Sequence, residues 1–114
     1  MENCLFCKIS EGSIPSEQVA ETERILAFRD INPAAPTHIL LIPKEHVADS
    51  AADLHSEHGS LLAELFELAA RVAEDEQLDN GWRLVTNVGA GAGQSVFHLH
   101  VHLLGGRPLG WPPG

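Results

Sequence analysis

The most informative segment for the fold is Phe97-His98-Leu99-His100-Val101-His102-Leu103-Leu104. Side chains of a strand alternate between its two faces, so the three histidines would share one face and Leu99, Val101 and Leu103 the other. Imidazoles are costly to bury without partners, because each ring nitrogen needs a hydrogen bond or a change of charge state. The alternative is a surface strand whose histidines are solvated by chance. The pattern favours a strand with one face in the core and one face used for chemistry.

The composition is that of a globular protein. Hydrophobic residues make up 44% of the 114 residues and charged residues 20%, which argues against disorder and predicts a single domain over residues 1–114. With a net charge of −9, the chain does not offer the broad basic surface that binds nucleic acid. A small anion could still bind backbone N–H groups and imidazoles. No apolar run approaches the roughly 20 residues of a membrane span, and the N-terminus has no signal-peptide pattern. We therefore expect a cytoplasmic protein that binds neither membranes nor nucleic acid.

Hydrophobic periodicity predicts five short strands and one long helix. Alternating residues indicate strands, the first two of which form a hairpin, and a stripe of leucines and alanines indicates an amphipathic helix. The helix should pack on the sheet with its charged face in solvent. The predicted strands span residues 17–22, 24–29, 37–43, 82–88 and 97–104, and the helix spans residues 57–77.

Cys4 and Cys7 are the only cysteines, too few and too close together for a disulfide framework. A Cys-x-x-Cys pair can be half of a metal site, a redox dithiol or two ordinary small apolar residues. A thioredoxin-like site needs a strand before the motif, but only three residues precede Cys4. Metal binding is therefore the better functional interpretation.

The spacing of the histidines limits how they can share a metal. His98 and His102 would be roughly 13 Å apart along a strand, so one tetrahedral ion cannot easily bind all three. His98 and His100 could share an ion, or one outer imidazole could bind metal while the other two do chemistry. Cys4, Cys7 and His46 are the right ligand types to complete a Cys2His2 zinc site with one of them.

A neutral imidazole can attack phosphorus, and water can then cleave the resulting phosphoramidate. His100 is the natural nucleophile, because an imidazole lies on either side of it and a Gly-Gln-Ser loop precedes its strand. The glycines of residues 89–93 would let backbone N–H groups approach an anion closely. Ser95 could donate a hydrogen bond to a leaving group or could simply bond the backbone of its own turn.

Several motifs together resemble the histidine triad superfamily. The stretch His98-Leu99-His100-Val101-His102-Leu103-Leu104 resembles its His-x-His-x-His-x-x signature, and the resemblance covers nearly the whole chain. Other segments resemble the Hint branch, which comprises nucleoside phosphoramidases and nucleotide-binding proteins. They are Phe28-Arg29-Asp30-Ile31-Asn32-Pro33, Ala35-Pro36-Thr37-His38, Ile42-Pro43-Lys44, Gly93-Gln94-Ser95-Val96 and the ending Trp111-Pro112-Pro113-Gly114.

The resemblance implies a fold, an assembly and an activity. The fold is α+β, with an antiparallel sheet of about five strands and one long helix packed on it. The assembly is a homodimer in which the two sheets join. The activity is hydrolysis of purine nucleoside phosphoramidates, especially AMP linked to an amine, through a covalent nucleotidyl-histidine intermediate.

The resemblance also implies roles for individual residues. His100 would be the nucleophile, His102 would contact the phosphate and His38 would support the nucleophile. Ser95 would assist the leaving group, and Asp30 would hold the ribose hydroxyls. The other implied substrate contacts are the polar Asn87, Gly93 and Gln94, the base-pocket residues Phe6, Ile9, Ile14, Phe28 and Ile31, and Trp111 near the partner subunit's site.

The cysteine pair resembles bacterial members of the superfamily in which two cysteines, a histidine and the first triad histidine bind zinc. This implies Cys4, Cys7, His46 and His98 as the ligands of a structural zinc. The assignment agrees with the distance argument, because it leaves two imidazoles for chemistry.

Two other functions stay open at the level of sequence. One is hydrolysis of dinucleoside polyphosphates, as in the Fhit-like branch, and the other is nucleotide binding with little turnover in an interaction protein. Ser95 and the segment from Gly105 to the C-terminus favour the Hint branch. An enzyme and a binding protein of this superfamily would carry the same motifs.

Overall fold

The computed structural model describes residues 3–114. Five strands form one antiparallel sheet in the spatial order first, second, third, fifth, fourth, which confirms the predicted α+β fold with one long helix. In chain order the elements are α1 (Leu5–Ser10), β1 (Gln18–Glu21), β2 (Ile25–Arg29), β3 (Thr37–Pro43), α2 (Gly59–Asp75), β4 (Trp82–Val85) and β5 (Val101–Gly105), with short 3₁₀ turns at Ala51–Asp53, Ser56–His58 and Ala90–Ala92.

One face of the sheet packs against α2 and carries the larger core. Ile39 of β3 lies opposite Leu103 of β5, and Leu41 lies opposite Val101, so all four side chains point to the same side. These residues pack with the buried stripe of α2. The leucine and valine face of the histidine stretch is therefore the core face, as its alternation predicts.

The opposite face of the sheet, called the histidine face below, includes Leu26, Phe28, His38, Leu40, Ile42 and His102. Helix α1 covers part of it by packing Phe6 and Ile9 against the apolar residues. Cys4 caps α1, since its sulfur accepts a hydrogen bond from the Cys7 N–H at 3.2 Å. The sequence pattern does not predict this helix, because six residues are too few to show helical periodicity.

The histidine stretch is a strand only in its second half, so the prediction of a strand over residues 97–104 is wrong for residues 97–100. β5 begins at Val101, paired with Leu41. Before that point the Leu99 N–H donates to the carbonyl of Ala48 at 2.9 Å instead of to a sheet partner. At the end of β3, the carbonyl of Pro43 accepts a hydrogen bond from the ring of His98 at 2.8 Å and does not pair with the backbone of this segment.

The remaining elements agree with the predictions except at their ends. The hairpin and the buried strand at residues 37–43 are confirmed, and the predicted helix over residues 57–77 begins as a 3₁₀ turn before α2. β4 ends at Val85 because the Thr86 hydroxyl, at 2.7 Å, donates to the carbonyl of His100. Within residues 3–114, no helix has the length and apolar character needed to cross a membrane.

Arg29 fastens the β1–β2 hairpin to the residue that follows α2. Its guanidinium donates to both carboxylate oxygens of Glu76, at 2.9 and 3.0 Å, and to Glu17 at 3.0 Å. Such bidentate pairs are among the stronger surface ion pairs. Arg29 therefore points to the helix side of the sheet, away from the histidine face.

Candidate active site and metal centre

A cysteine and histidine cluster lies beside the histidine face. Cys4, Cys7, His46 and His98 offer ligand atoms that all lie within 4.8 Å of one another. The four residues come from the start of α1, the loop after β3 and the segment before β5. Cys4 and His98 are buried, and the other two are half-buried. The structure thus brings together the four residues that the resemblance implies as zinc ligands.

The distances within the cluster fit one tetrahedral ion. Cys4 Sγ lies 3.1 Å from His98 Nδ1 and 3.4 Å from His46 Nδ1. Cys7 Sγ lies 3.6 Å and 3.9 Å from the same two nitrogens. Zinc bonds of about 2.3 Å to sulfur and about 2.0 Å to nitrogen place tetrahedral ligand atoms roughly 3.5 Å apart. The four side chains therefore already have the spacing of a Cys2His2 zinc site.

The far nitrogens of the two cluster histidines are held in the way that metal binding requires. The Nε2–H of His98 donates to the carbonyl of Pro43 at 2.8 Å, and the Nε2–H of His46 donates to Asp49 Oδ1 at 2.6 Å. A proton on Nε2 leaves the lone pair on Nδ1, which is the atom facing the two sulfurs. Both rings therefore present a metal-binding nitrogen to the cluster.

The pKa values of the two thiols in the cluster are shifted in opposite directions. Burial raises the pKa of Cys4, but hydrogen bonds with Cys7 and His46 outweigh it and hold that pKa below the usual value. Burial and the neighbouring Cys4 sulfur raise the pKa of Cys7 to about 11. A bound cation would favour the thiolate of both, because metal binding displaces thiol protons.

A second group of histidines forms a chain of hydrogen bonds on the histidine face. The Ala34 N–H donates to His38 Nδ1 at 2.9 Å, so the ring proton of neutral His38 lies on Nε2. That Nε2–H donates to His102 Nδ1 at 2.9 Å and lies 3.4 Å from Asp30 Oδ2. His102 consequently carries its own proton on Nε2 and can donate it to a ligand.

His100 has the opposite tautomer. Its Nδ1–H donates to the backbone carbonyl of His98 at 2.8 Å, which leaves the lone pair on Nε2. Its ring lies 5.1 Å from that of His102, centroid to centroid. One imidazole with a free lone pair therefore stands beside another with a free N–H, and this pair can attack an electrophile and stabilise the charge that develops on it.

Asp30, His38 and His102 also lie close enough together to share a metal ion. The tautomer of His38 argues against this use, because its Nδ1 accepts the Ala34 N–H and its Nε2 must carry the proton. A metal on Nε2 would require the costly imidazolate form. The hydrogen bonds made by the other ring nitrogen therefore distinguish the two clusters. In the cysteine and histidine cluster the rings present lone pairs to a metal, whereas His38 and His102 are hydrogen-bonded to each other.

The imidazoles of the chain resist protonation. Burial, aided by His100 and His38, lowers the pKa of His102 to about 4. Burial also lowers the pKa of His38, although Asp30 opposes the shift. Both rings are therefore neutral at pH 7. This agrees with the hydrogen bonds, in which each ring carries a proton on Nε2 and accepts at Nδ1.

We expect the free energy of unfolding to decrease as the pH falls from about 6.5 to about 4. The unfolded chain binds a proton at His102 near the usual pKa of 6.5, whereas the folded chain does so only near its lowered pKa of about 4. This difference corresponds to a loss of up to about 3 kcal/mol. Urea unfolding at pH 7 and at about pH 4.5 measures it, and His102→Gln should lose less stability than wild type over this interval. Equal losses would contradict the assignment.

The loop before the histidine stretch is held by Gln94. The Gln94 side chain is buried, and its Nε2 donates to the carbonyls of Asp49 and Val96 at 2.7 and 3.1 Å. Its Oε1 accepts from the Gly89 N–H at 2.8 Å. Both ends of the Gln94 carboxamide are therefore hydrogen-bonded to backbone groups, which hold the loop closed. The contact of Gln94 with a substrate stays a prediction.

The other polar residues implied by the resemblance lie around this loop. Gly93 has a positive φ of 99°, a conformation that favours glycine. A Cβ atom added at Gly93 would lie 3.9 Å from Asn87 Nδ2, so the two residues are neighbours. Ser95 is exposed and lines a cavity of about 710 Å³ together with Cys4, His46 and five other residues. Ser95 and two members of the cysteine and histidine cluster therefore border the same cavity.

The predicted base-pocket residues divide into two groups. Phe6, Ile9 and Phe28 are buried and pack together with the half-buried Ile14. Ile31 is 90% exposed, and Trp111 is 83% exposed. The first group forms a wall that is already packed, whereas the second would be covered only by a ligand or a partner chain.

Three contributions to the site were missed by the sequence analysis. Asp49 orients His46, the Ala34 N–H sets the tautomer of His38, and Phe6 packs edge-on against the rings of His98 and His100. A backbone N–H leaves no mark in a sequence, and no pattern singles out Asp49. The position of Phe6 between the two cysteines was the one available signal.

Comparison with solved structures finds proteins of the same fold. A HIT family hydrolase from Legionella pneumophila superposes with a TM-score of 0.94 at 53% identity, covering 98% of this chain and all of that one. A HIT family hydrolase from Clostridium thermocellum gives a TM-score of 0.92 at 48% identity, covering 96% of both chains. The fold and site thus define an α+β protein of the class to which these hydrolases belong.

The chain belongs to the HIT family, since the model of the HIT domain matches residues 11–109. Among sequence relatives, a 14 kDa zinc-binding protein from Zea mays is 51% identical over 113 residues, covering 96% of this chain and 87% of the maize protein. These findings confirm the superfamily that the histidine motif indicated.

Proposed function

We propose that this protein is a nucleoside phosphoramidase of the Hint branch, which cleaves AMP or GMP from an amine. The tautomer of His100 carries the proposal. Its Nδ1–H is held by the His98 carbonyl, so Nε2 keeps a lone pair that can attack phosphorus. The names of the two superposed HIT family hydrolases support hydrolysis as the reaction type.

The proposed reaction has two displacements at phosphorus. His100 Nε2 forms a bond to phosphorus as the phosphorus–amine bond breaks, and the leaving nitrogen takes up a proton that passes from solvent through Ser95 Oγ. Water then attacks phosphorus and loses a proton to solvent, the electron pair of the bond to phosphorus returns to Nε2, and the nucleoside monophosphate leaves. His102 Nε2–H donates to a phosphoryl oxygen and stabilises its charge in both steps, while His38 holds that proton in place.

The remaining polar and apolar groups would bind the nucleoside. Asp30 has one carboxylate oxygen bonded to the Asn32 N–H at 2.8 Å and the other near His38, at a position where ribose hydroxyls can donate to it. Asn87 and Gly93 would bind the phosphate from the glycine-rich loop. The wall of Phe6, Ile9, Ile14 and Phe28 would back the purine, and the exposed Ile31 would cover it.

We assign a structural zinc to Cys4, Cys7, His46 and His98. The fit of their spacing and of the two Nε2 hydrogen bonds supports this, as does the name of the maize zinc-binding relative. Zinc would hold α1 to the segment before β5 and would take no part in the displacement. The ligand set leaves no open position for a substrate.

A homodimer is the proposed assembly. β4 is an edge strand of the sheet, and edge strands present unpaired N–H and C=O groups that a second copy can satisfy. Trp82 on β4 is 40% exposed, and Trp111 near the C-terminus is 83% exposed. Sedimentation should give the mass of two chains, and a monomer at every concentration would contradict the proposal.

A panel of fluorogenic substrates tests the function. Adenosine and guanosine phosphoramidates should be hydrolysed at least about 100-fold faster, by kcat/KM, than a dinucleoside polyphosphate of the same base. The reverse order would place the protein with the Fhit-like hydrolases. Tight nucleotide binding without turnover of either substrate would instead identify a nucleotide-binding interaction protein.

A further inference from the structure

The metal cluster and the nucleophile share a residue, Phe6. Its ring lies 5.0 Å from that of His100, at an interplanar angle of 86°, and 5.9 Å from that of His98, at 74°. These are edge-to-face contacts, the geometry in which aromatic pairs attract one another. Phe6 is only 5% exposed, so most of its surface packs against protein groups and only a small part could contact a purine.

Phe6 is held by the cluster as well as by its packing against Phe28 and the other apolar residues of the histidine face. It lies between Cys4 and Cys7 on α1, a helix of only six residues with one turn of backbone hydrogen bonds to hold it. The cysteines can fix α1 against the sheet only through their contacts with His46 and His98. The position of the Phe6 ring against His100 therefore depends on the cysteine and histidine cluster in addition to the packing of α1 on the sheet.

A second connection runs through the backbone of His98. Its side chain is fully buried and is held between the two sulfurs and the carbonyl of Pro43. Its own carbonyl accepts the Nδ1–H of His100 at 2.8 Å. Fixing the ring of His98 therefore also fixes the carbonyl that selects the tautomer of His100.

We propose that Phe6 is a positioning residue for His100, and that the cluster of Cys4, Cys7, His46 and His98 holds the nucleophile in its reactive tautomer through Phe6 and the His98 carbonyl. Zinc at this site would then support catalysis by ordering the imidazole, in addition to fastening the N-terminal helix. The kinetic part of this inference rests on the proposed function, whereas the tautomer is a property of the free protein.

Phe6→Leu tests the inference, with Phe66→Leu on the exposed side of α2 as the matched control. Long-range proton–nitrogen NMR spectra of the substrate-free, zinc-loaded proteins report which ring nitrogen of His100 carries the proton. Wild type and Phe66→Leu should show protonated Nδ1 only, and Phe6→Leu should show exchange between both tautomers at unchanged zinc content. With a phosphoramidate, Phe6→Leu should lower kcat roughly 10-fold and change KM less than about twofold.

Metal removal provides a second test that needs no substrate. Wild type treated with a chelator should show the same loss of a single His100 tautomer, and added zinc should restore it. An unchanged His100 spectrum in Phe6→Leu or in the metal-free protein would overturn the proposal. A raised KM at constant kcat in Phe6→Leu would do so too, because Phe6 would then only line the base pocket. If wild type hydrolyses no phosphoramidate, the proposed function fails, and the NMR result still decides the role of Phe6.

Discussion

His100→Ala should abolish the release of amine from an adenosine phosphoramidate, with a loss in kcat of roughly 10⁴-fold or more. The substitution removes the only atom proposed to bond to phosphorus. His102 cannot take over, because its Nδ1 accepts the hydrogen bond from His38 and its Nε2 carries a proton. What catalysis remains would come from binding and from donors to the phosphoryl oxygens.

The control for this variant is His55→Ala. His55 is exposed, and its ring stacks against the ring of His58 at a centroid distance of 6.1 Å. It should keep wild-type turnover, and both variants should keep wild-type zinc content and secondary structure. Mass spectrometry of the quenched reaction should detect a nucleoside monophosphate on the peptide containing His100 in wild type but not in His100→Ala. Undiminished turnover by His100→Ala would remove this residue from its assigned role.

His46→Asn should lose bound zinc and most of the stability that zinc confers. Wild type should contain about one zinc per chain, and removal of one of four ligands should weaken binding at least about 100-fold. At free zinc 1,000 times its Kd, binding contributes about 4 kcal/mol to the free energy of unfolding, or roughly 15 °C in Tm. His46 is suited to this test because it lies in a loop, so its loss leaves the sheet intact.

His55→Asn is the matched control for the metal, since it removes an imidazole outside the cluster. It should retain one zinc per chain and the wild-type Tm, and a chelator should lower the Tm of wild type and His55→Asn alike. The Tm of His46→Asn should change little on adding the chelator. Freshly purified wild type that contains no zinc and has both thiols reduced would refute the metal assignment.

Local patterns carried much of the fold. The buried strand at residues 37–43, the hairpin and the helix were all predictable, because apolar periodicity reflects burial on one face directly. Helix α1 was not, because it is shorter than two turns and is held in place by its contacts with the sheet. The strand at residues 97–104 was predicted too long for a related reason: alternation continues through His98, but its hydrogen-bond partner there is Pro43 at the end of β3.

The family, the core face and chemical face of the histidine stretch, and the residues of both histidine groups can be read from the amino-acid sequence. These follow from alternation and from the side chains themselves. Which imidazole carries its proton on which nitrogen depends instead on contacts that form when the chain folds. The partners that select each tautomer are the backbone groups of Ala34, Pro43 and His98 and the side chains of Asp49 and His38. The carbonyl of His98 is two residues from the ring that it contacts, and every other partner is three or more residues from its ring in the sequence. Folding therefore gives chemically identical imidazoles different roles.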